Sequence, residues 1–150
     1  PKNLANDRAS TESVIFHILK CLRQKNIKPL NLILLQPTSP FRDSTDIKKS
    51  IKLFEKNKLD SLFSAFKNKI LVWKDAKKKL KPINYKIKNR RRRQDSKSLI
   101  VENGAIFIFK YQKFLKSRVR LFGKIGCYLM SKKNSVEIDD KFDLKIARKL

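Results

Sequence analysis

Leu30-Asn31-Leu32-Ile33-Leu34-Leu35-Gln36-Pro37-Thr38-Ser39-Pro40-Phe41-Arg42 passes from an almost unbroken apolar run into a polar loop braced by two prolines. A short apolar run that ends at a proline reads as a β-strand buried on both faces, as in sheets covered by helices. The neighbouring segments alternate with it. Residues 10–25 place Val14, Ile15, Ile18, Leu19 and Leu22 at helical spacing, with Ser10 or Thr11 as the cap and Glu12 in the first turn. Ser44 reads as the cap of a second helix carrying Ile47, Ile51 and Phe54 on one face, and 60–66 as another strand. Helix, strand, helix, strand is the order of an α/β sheet with crossover connections. Ligands of such sheets bind outside the carboxyl ends of the strands, which is where the loop over 36–40 begins.

The rest of the chain extends this pattern with one interruption. Residues 69–74 read as a strand, 105–109 and 125–130 as two more, and 111–117 as a short helix. Asp140 reads as the cap of a last helix bearing Ile146, Ala147 and Leu150. Between these elements, 75–100 is polar and basic, the pattern of a linker, a flexible loop or a protruding hairpin. A chain of 150 residues with 41% hydrophobic content suits one globular domain over 1–150, with 75–104 as a loop or arm. No apolar run approaches the ~18 residues of a membrane span, and no signal-peptide pattern opens the chain. Pro1 in place of a methionine suggests a longer gene product. Cys21 and Cys127, with one His in the chain, are a poor metal set and read as buried thiols in a reducing cytoplasm.

The formal charge of +25 predicts attraction to nucleic acid, anionic membranes or phosphorylated substrates. Lysine bias on a solvated surface accounts for it equally well. The run Arg90-Arg91-Arg92-Arg93 has the bidentate chemistry that binds phosphate and carboxylate, but no aromatic residue interleaves with it to stack bases. Gln36, Thr38 and Ser39 give the 36–40 loop amide and hydroxyl groups that suit a sugar, while Thr-Ser-Pro is also ordinary turn chemistry. Glu137, Asp139, Asp140 and Asp143 form an acidic cluster in a basic chain. Glu137 and Asp139 would share one side of an extended segment and could hold Mg²⁺, which takes oxygen ligands. Asp140 and Asp143 suit a helix start. His17, on the first helix, reads as structural.

The order of these motifs resembles the CMP-N-acylneuraminate synthetase (acylneuraminate cytidylyltransferase) family. Pro1, Leu4, Ala5, Asp7, Ala9, Ser10 and Thr11 match a family segment ending in Arg-Pro-x-x-Leu-Ala-x-Asp-x-Ala-Ser-[Ser/Thr], whose arginine would precede Pro1. Gln36-Pro37-Thr38-Ser39-Pro40, Arg92-Arg93-Gln94-Asp95, Glu102-Asn103-Gly104 and Glu137-Ile138-Asp139 match four further elements in order. The resemblance implies a Rossmann-like nucleotidyltransferase sheet flanked by helices, with a protruding dimerisation arm and with the first strand and its phosphate loop missing. It implies transfer of CMP from CTP to a sialic acid or related nonulosonic acid, with Mg²⁺, in a cytoplasmic homodimer that contacts neither nucleic acid nor membrane. Ala9 and Thr11 would lie by the cytosine. Gln36, Thr38, Ser39 and Phe107 would meet the sugar, Arg92 and Arg93 the anionic groups, and Glu137 and Asp139 the metal; Gln36, Arg92 and Arg93 are the catalytic candidates. The family's glycine- and lysine-containing phosphate loop has no counterpart here, so the chain alone is expected to be inactive. The alternative is a basic nucleic-acid-binding protein.

Overall fold

The computed structural model describes residues 1–6, 8–76 and 79–150, so the Asp7 match and Lys77 and Lys78 of the basic stretch lie outside the described residues. The main elements are α1 (Thr11–Gln24), β1 (Asn31–Leu35), α2 (Ser44–Lys56), β2 (Ser61–Asn68), β3 (Trp73–Ala76), β4 (Lys79–Pro82), β5 (Leu99–Lys110), α3 (Tyr111–Ser117), β6 (Ile125–Leu129) and α4 (Lys141–Ala147). A four-stranded sheet runs in the order β1-β5-β2-β6. β2 and β6 are parallel, and β5 is antiparallel to both β1 and β2. The three strands β1, β2 and β6 therefore point the same way, and their carboxyl ends share one edge with the start of β5.

β5 is the spine of the core because its side chains alternate between two covered faces. Phe107 and Phe109 pack with Ile15 and Leu19 of α1 and with Phe114 of α3. Ile106 and Ile108 pack with Leu62 and with Phe54 of α2. Full burial of each such side chain contributes about 1.5–3 kcal/mol.

Ser10 caps α1, its hydroxyl accepting from the Ser13 N–H, and Asp140 caps α4 through a capping box with Asp143. The start of α2 differs from the sequence expectation. Asp43, not Ser44, is its cap, because a carboxylate there accepts from Asp46 N while Asp46 accepts in return from Asp43 N. β1 also differs. It is a sheet edge among the described residues, with alternating exposure, and Ile33 and Leu35 are 44% and 37% exposed. They share a face with Ile108 and Ile106, but α2 packs on β5, β2 and β6. An apolar run shows that a strand tolerates cover on both faces and does not supply the cover. Cys21 and Cys127 are free and half-buried rather than buried. No helix among the described residues is long and apolar enough to cross a membrane.

The interruption after β2 is an ordered arm. β3 and β4 pair antiparallel, Trp73 opposite Pro82 and Ala76 opposite Lys79, so the strand expected over 69–74 begins four residues later, at Trp73. At its base, Arg93 Nε donates to Lys69 O at 2.7 Å, and Lys69 Nζ donates to Gln94 O. Asn84 accepts from Val72 N and donates to Ile70 O, which fixes the return of the hairpin. Trp73, Leu80, Ile83 and Ile87 are exposed along the arm.

Asp60 locks the opposite end of the sheet. Only 12% of its side chain is exposed, and it pairs with Lys113 at 2.7 Å and Lys110 at 3.0 Å while accepting from Lys124 N. These bonds, Lys113 first, hold its carboxyl well below the ordinary carboxylate range. A depressed folded pKa gives stability that is complete above the unfolded value, about 3.9, and is lost as pH falls below it toward the folded value. Asp60→Asn is therefore expected to lower the melting temperature at pH 7, with the gap to the parent narrowing from pH 4 to pH 2. A gap of constant size across that range would reject the charge-based account.

Candidate active site

The three motifs that sequence separates by about a hundred residues meet at the carboxyl edge of the parallel strands. The backbone explains how. β2 and β5 pair regularly up to Phe63 opposite Phe107 and resume at Ala65 opposite Glu102, leaving a bulge around Asn103 and Gly104. Gly104 adopts φ +60, a conformation that costs glycine little. A Cβ at this position would collide with Gln36 Oε1 and come within 2.5 Å of Glu137 Oε1. The missing side chain is thus the space in which the Gln36 amide and the Glu137 carboxylate come together.

Both partners arrive on tethered loops. Arg42 Nη1 donates to Gln36 O at 3.0 Å and to Ala105 O at 2.8 Å, drawing the end of β1 onto β5. Ile138 N donates to Thr38 O at 2.8 Å, so the segment carrying Glu137 and Asp139 lies directly on the 36–40 loop. Asn134 bonds Asp46 and Asp43 at the head of α2, which anchors the same segment from behind. Tyr128 also donates to Asp46, and burial together with that carboxylate pushes its hydroxyl up to about 12.

Glu137 is half-buried, and its carboxyl is raised above the ordinary range by burial first, then by Asp139, then by Glu102. Asp139 and Glu102 both act on Glu137 by charge, a local negative focus in a chain of charge +25 that a cation would relieve. No described trio of His, Cys, Asp or Glu is arranged to enclose a metal. One or two carboxylates completed by water and substrate phosphate is the usual Mg²⁺ arrangement, and Glu137 with Asp139 fits that pattern.

The other sequence candidates are distributed differently. Thr38 is half-buried in the loop, whereas Ser39 is fully buried and its hydroxyl reaches Asn103 O at 3.5 Å, supporting the loop from inside. Phe107 is 2% exposed, within the α1 face of the core. Its ring lies 4.6 Å beneath the Arg120 guanidinium, which pairs with Glu12 and so ties Phe107 to the start of α1 rather than to the Gln36 group. Ala9 and Thr11 flank the Ser10 cap at that same start. Arg92 pairs with Asp95 on the arm and Arg93 holds the arm's base. Arg93 also lines a cleft of about 440 Å³ with Lys67, Lys69 and Lys132, next to the loop that leads into Glu137. Arg42, Glu102 and Asn103 belong to the site, yet the sequence reading gave them no individual role. An Asn-Gly pair inside a strand-like stretch is a bulge signal that could have found Asn103.

No protein-family model matches the chain. Its fold is shared with the crystal structure of 4-diphosphocytidyl-2C-methyl-D-erythritol synthase from Anaerococcus prevotii, with a TM-score of 0.60 and 16% identity over 94% of this chain and 66% of that one. What the two share is the fold, a mixed parallel and antiparallel sheet flanked by helices. Among curated proteins, the chain is 34% identical over 158 aligned positions, 98% of its length, to the N-acylneuraminate cytidylyltransferase of Escherichia coli O18:K1:H7. It is 30% identical over 75% of its length to N-acylneuraminate cytidylyltransferase A of Danio rerio, and 31% identical to the Oncorhynchus mykiss protein. The chain belongs to the N-acylneuraminate cytidylyltransferase family. It spans about a third of the length of these relatives, 35% of the first and 27% of the other two.

Proposed function

We propose that this chain forms the sugar- and metal-side part of a CMP-sugar synthetase, which transfers CMP from CTP to a sialic acid or a related nonulosonic acid. The observation that carries this reading is the convergence of Gln36 and Glu137 over Gly104, on loops joined by the bond from Ile138 N to Thr38 O. It puts a neutral, bidentate hydrogen-bonding amide beside an acidic pair, as needed to seat a polyhydroxylated acid against a phosphate.

In the reaction, the anomeric hydroxyl of the sugar acid attacks the α-phosphate of CTP and pyrophosphate leaves. Gln36 orients the sugar, with Thr38 and Ser39 shaping its loop, so that the hydroxyl faces the phosphate. Arg92 and Arg93 offset the charge of two anionic substrates, a role supported by the cationic cleft at Arg93. Ala9 and Thr11 border the cytosine, and Phe107 supports that side from the core. Glu137 and Asp139 would hold Mg²⁺, which supplies charge neutralisation at the phosphates. The exposed apolar residues of the arm support its exchange with a second subunit in a homodimer. The half-buried free thiols fit a reducing cytoplasm.

The triphosphate needs a cradle, and the unpaired edge of β1 is where the sheet has room for a further strand carrying it. The test is pyrophosphate release from CTP by a longer protein that includes a glycine- and lysine-containing segment ahead of Pro1, assayed with N-acetylneuraminate, legionaminate and pseudaminate. Turnover with at least one sugar acid and sedimentation as a dimer are expected, with no turnover by the 150-residue chain alone. A longer protein inert with all three sinks the reading, a monomer rejects the arm's role, and CMP-sugar formed by the short chain rejects the need for the cradle.

A further inference from the structure

Asn103 is fully buried, and its carboxamide has every donor and acceptor engaged. Oδ1 accepts from Ser64 Oγ at 2.6 Å and from Ala105 N at 3.3 Å. Nδ2 donates to Ser135 Oγ at 2.8 Å and to Met130 Sδ at 3.3 Å. The partners fix which end is which. Ala105 N–H can only donate. Ser64 Oγ accepts from Ile106 N at 2.7 Å and has its one hydrogen left to donate to Oδ1. Ser135 Oγ already donates to Ser131 O at 2.7 Å, so it accepts from Nδ2. Reversing the amide, or replacing it with a carboxylate, would set acceptor against acceptor in a site with no access to water.

Each partner lies on a different piece of the site. Ser64 sits on β2 where the register breaks, Ala105 closes the Gly104 bulge, and Ser135 is two residues before Glu137. Asn103 O also receives the Ser39 hydroxyl from the Gln36 loop. The anchors of Asn134 to Asp46 and of Ile138 to Thr38 hold the acidic segment at its ends, but neither ties it to Gly104.

We propose that Asn103 is the positioning residue of this site: its carboxamide links the Gly104 bulge to the loop bearing Glu137 and Asp139, and so sets the separation between the Gln36 amide and the acidic pair. It touches neither substrate nor metal. The inference rests on the metal-side reading of Glu137 and Asp139, and partners that orient metal ligands typically change affinity or activity by about 10- to 100-fold when removed.

The test uses the 150-residue chain with Mn²⁺ as the probe, comparing the parent with Asn103→Asp and Ser135→Ala. Ser135→Ala removes the link to the acidic loop together with the bond from Ser135 Oγ to Ser131 O, and leaves the bonds of Asn103 to β2 and β5, so the chain is expected to stay folded with a lowered melting temperature. Mn²⁺ binding is expected to weaken by about 10-fold or more in both variants. Hydrogen exchange of the Ile138 amide, which bonds Thr38 O, is expected to accelerate by roughly tenfold, while the Met130 amide bonded to Ala65 O keeps its protection. Unchanged Mn²⁺ affinity in a folded Ser135→Ala chain overturns the proposal. If the parent takes up no Mn²⁺, the metal reading of Glu137 and Asp139 falls, and the exchange measurement decides alone: an Ile138 amide as protected in Ser135→Ala as in the parent overturns the positioning role. If Asn103→Asp does not fold, Ser135→Ala alone carries both measurements.

Discussion

Gly104→Ala is expected to abolish CMP transfer in the longer protein while leaving a folded chain. A side chain at this position meets two obstacles. The backbone sits at φ +60, where a Cβ costs about 1–2 kcal/mol. The Cβ would also occupy the space shared by Gln36 Oε1 and Glu137 Oε1. Both groups end flexible side chains, so they move aside and the fold survives, but the geometry that brings them together is lost. The stability cost converts to a melting-temperature drop of about 2–8 °C for a chain of this size. Gly123→Ala is the matched control. Gly123 has φ +61, and its Cβ would strike the Asp60 carboxyl at the other end of the sheet. That variant is expected to lose stability to a similar or greater degree, because Asp60 is held by Lys110 and Lys113, and to retain its turnover per folded molecule. Equal retention of activity in both variants would show that the meeting of Gln36 and Glu137 is incidental.

The comparison of the two glycines also shows what the sequence could and could not disclose. Helices announce themselves through local periodicity and caps, so α3 over Tyr111–Ser117 and the Ser10 and Asp140 caps read correctly. β5 was legible only from Ala105 onward, since Glu102-Asn103-Gly104 has the composition of a turn. Its first residues are held in the sheet by pairing with β2, a contact between positions more than thirty apart that no local pattern records. The exposure of β1 failed for a related reason: what covers a strand is a property of its neighbours. At the site, the resemblance supplied Gln36, Glu137 and Asp139, each of which has chemistry visible in its residue type. Arg42 and Asn103 act through backbone carbonyls and buried hydroxyls, and such partners become identifiable only when the chain is folded. The arm illustrates a third case. Its charge was visible in the sequence, but the edge-on packing of Trp73 against Tyr85, 5.8 Å between ring centres, is a contact between positions on the two sides of the hairpin that no local pattern records.

Asp139→Ala is expected to reduce Mg²⁺-dependent turnover in the longer protein by on the order of 100-fold or more, since even outer partners of a metal ligand typically cost 10- to 100-fold. The structure limits how such a loss can arise. Asp139 is exposed, and its own N–H bonds Asp143 at the head of α4, a bond that alanine keeps because it uses the main chain. The change therefore leaves the fold and the α4 capping box in place, and the stability is expected to stay within about 0.5 kcal/mol of the parent's. It removes one of the two neighbouring charges that raise Glu137, so the remaining carboxyl ionises more readily than before. A site that needed only a single ionised Glu137 would then gain function, whereas a site that needs two carboxylates around one cation loses it. The two outcomes have opposite signs, and Mn²⁺ titration of the 150-residue chain separates them without any turnover: weaker binding in Asp139→Ala supports the paired ligands, and equal or tighter binding removes Asp139 from the metal site.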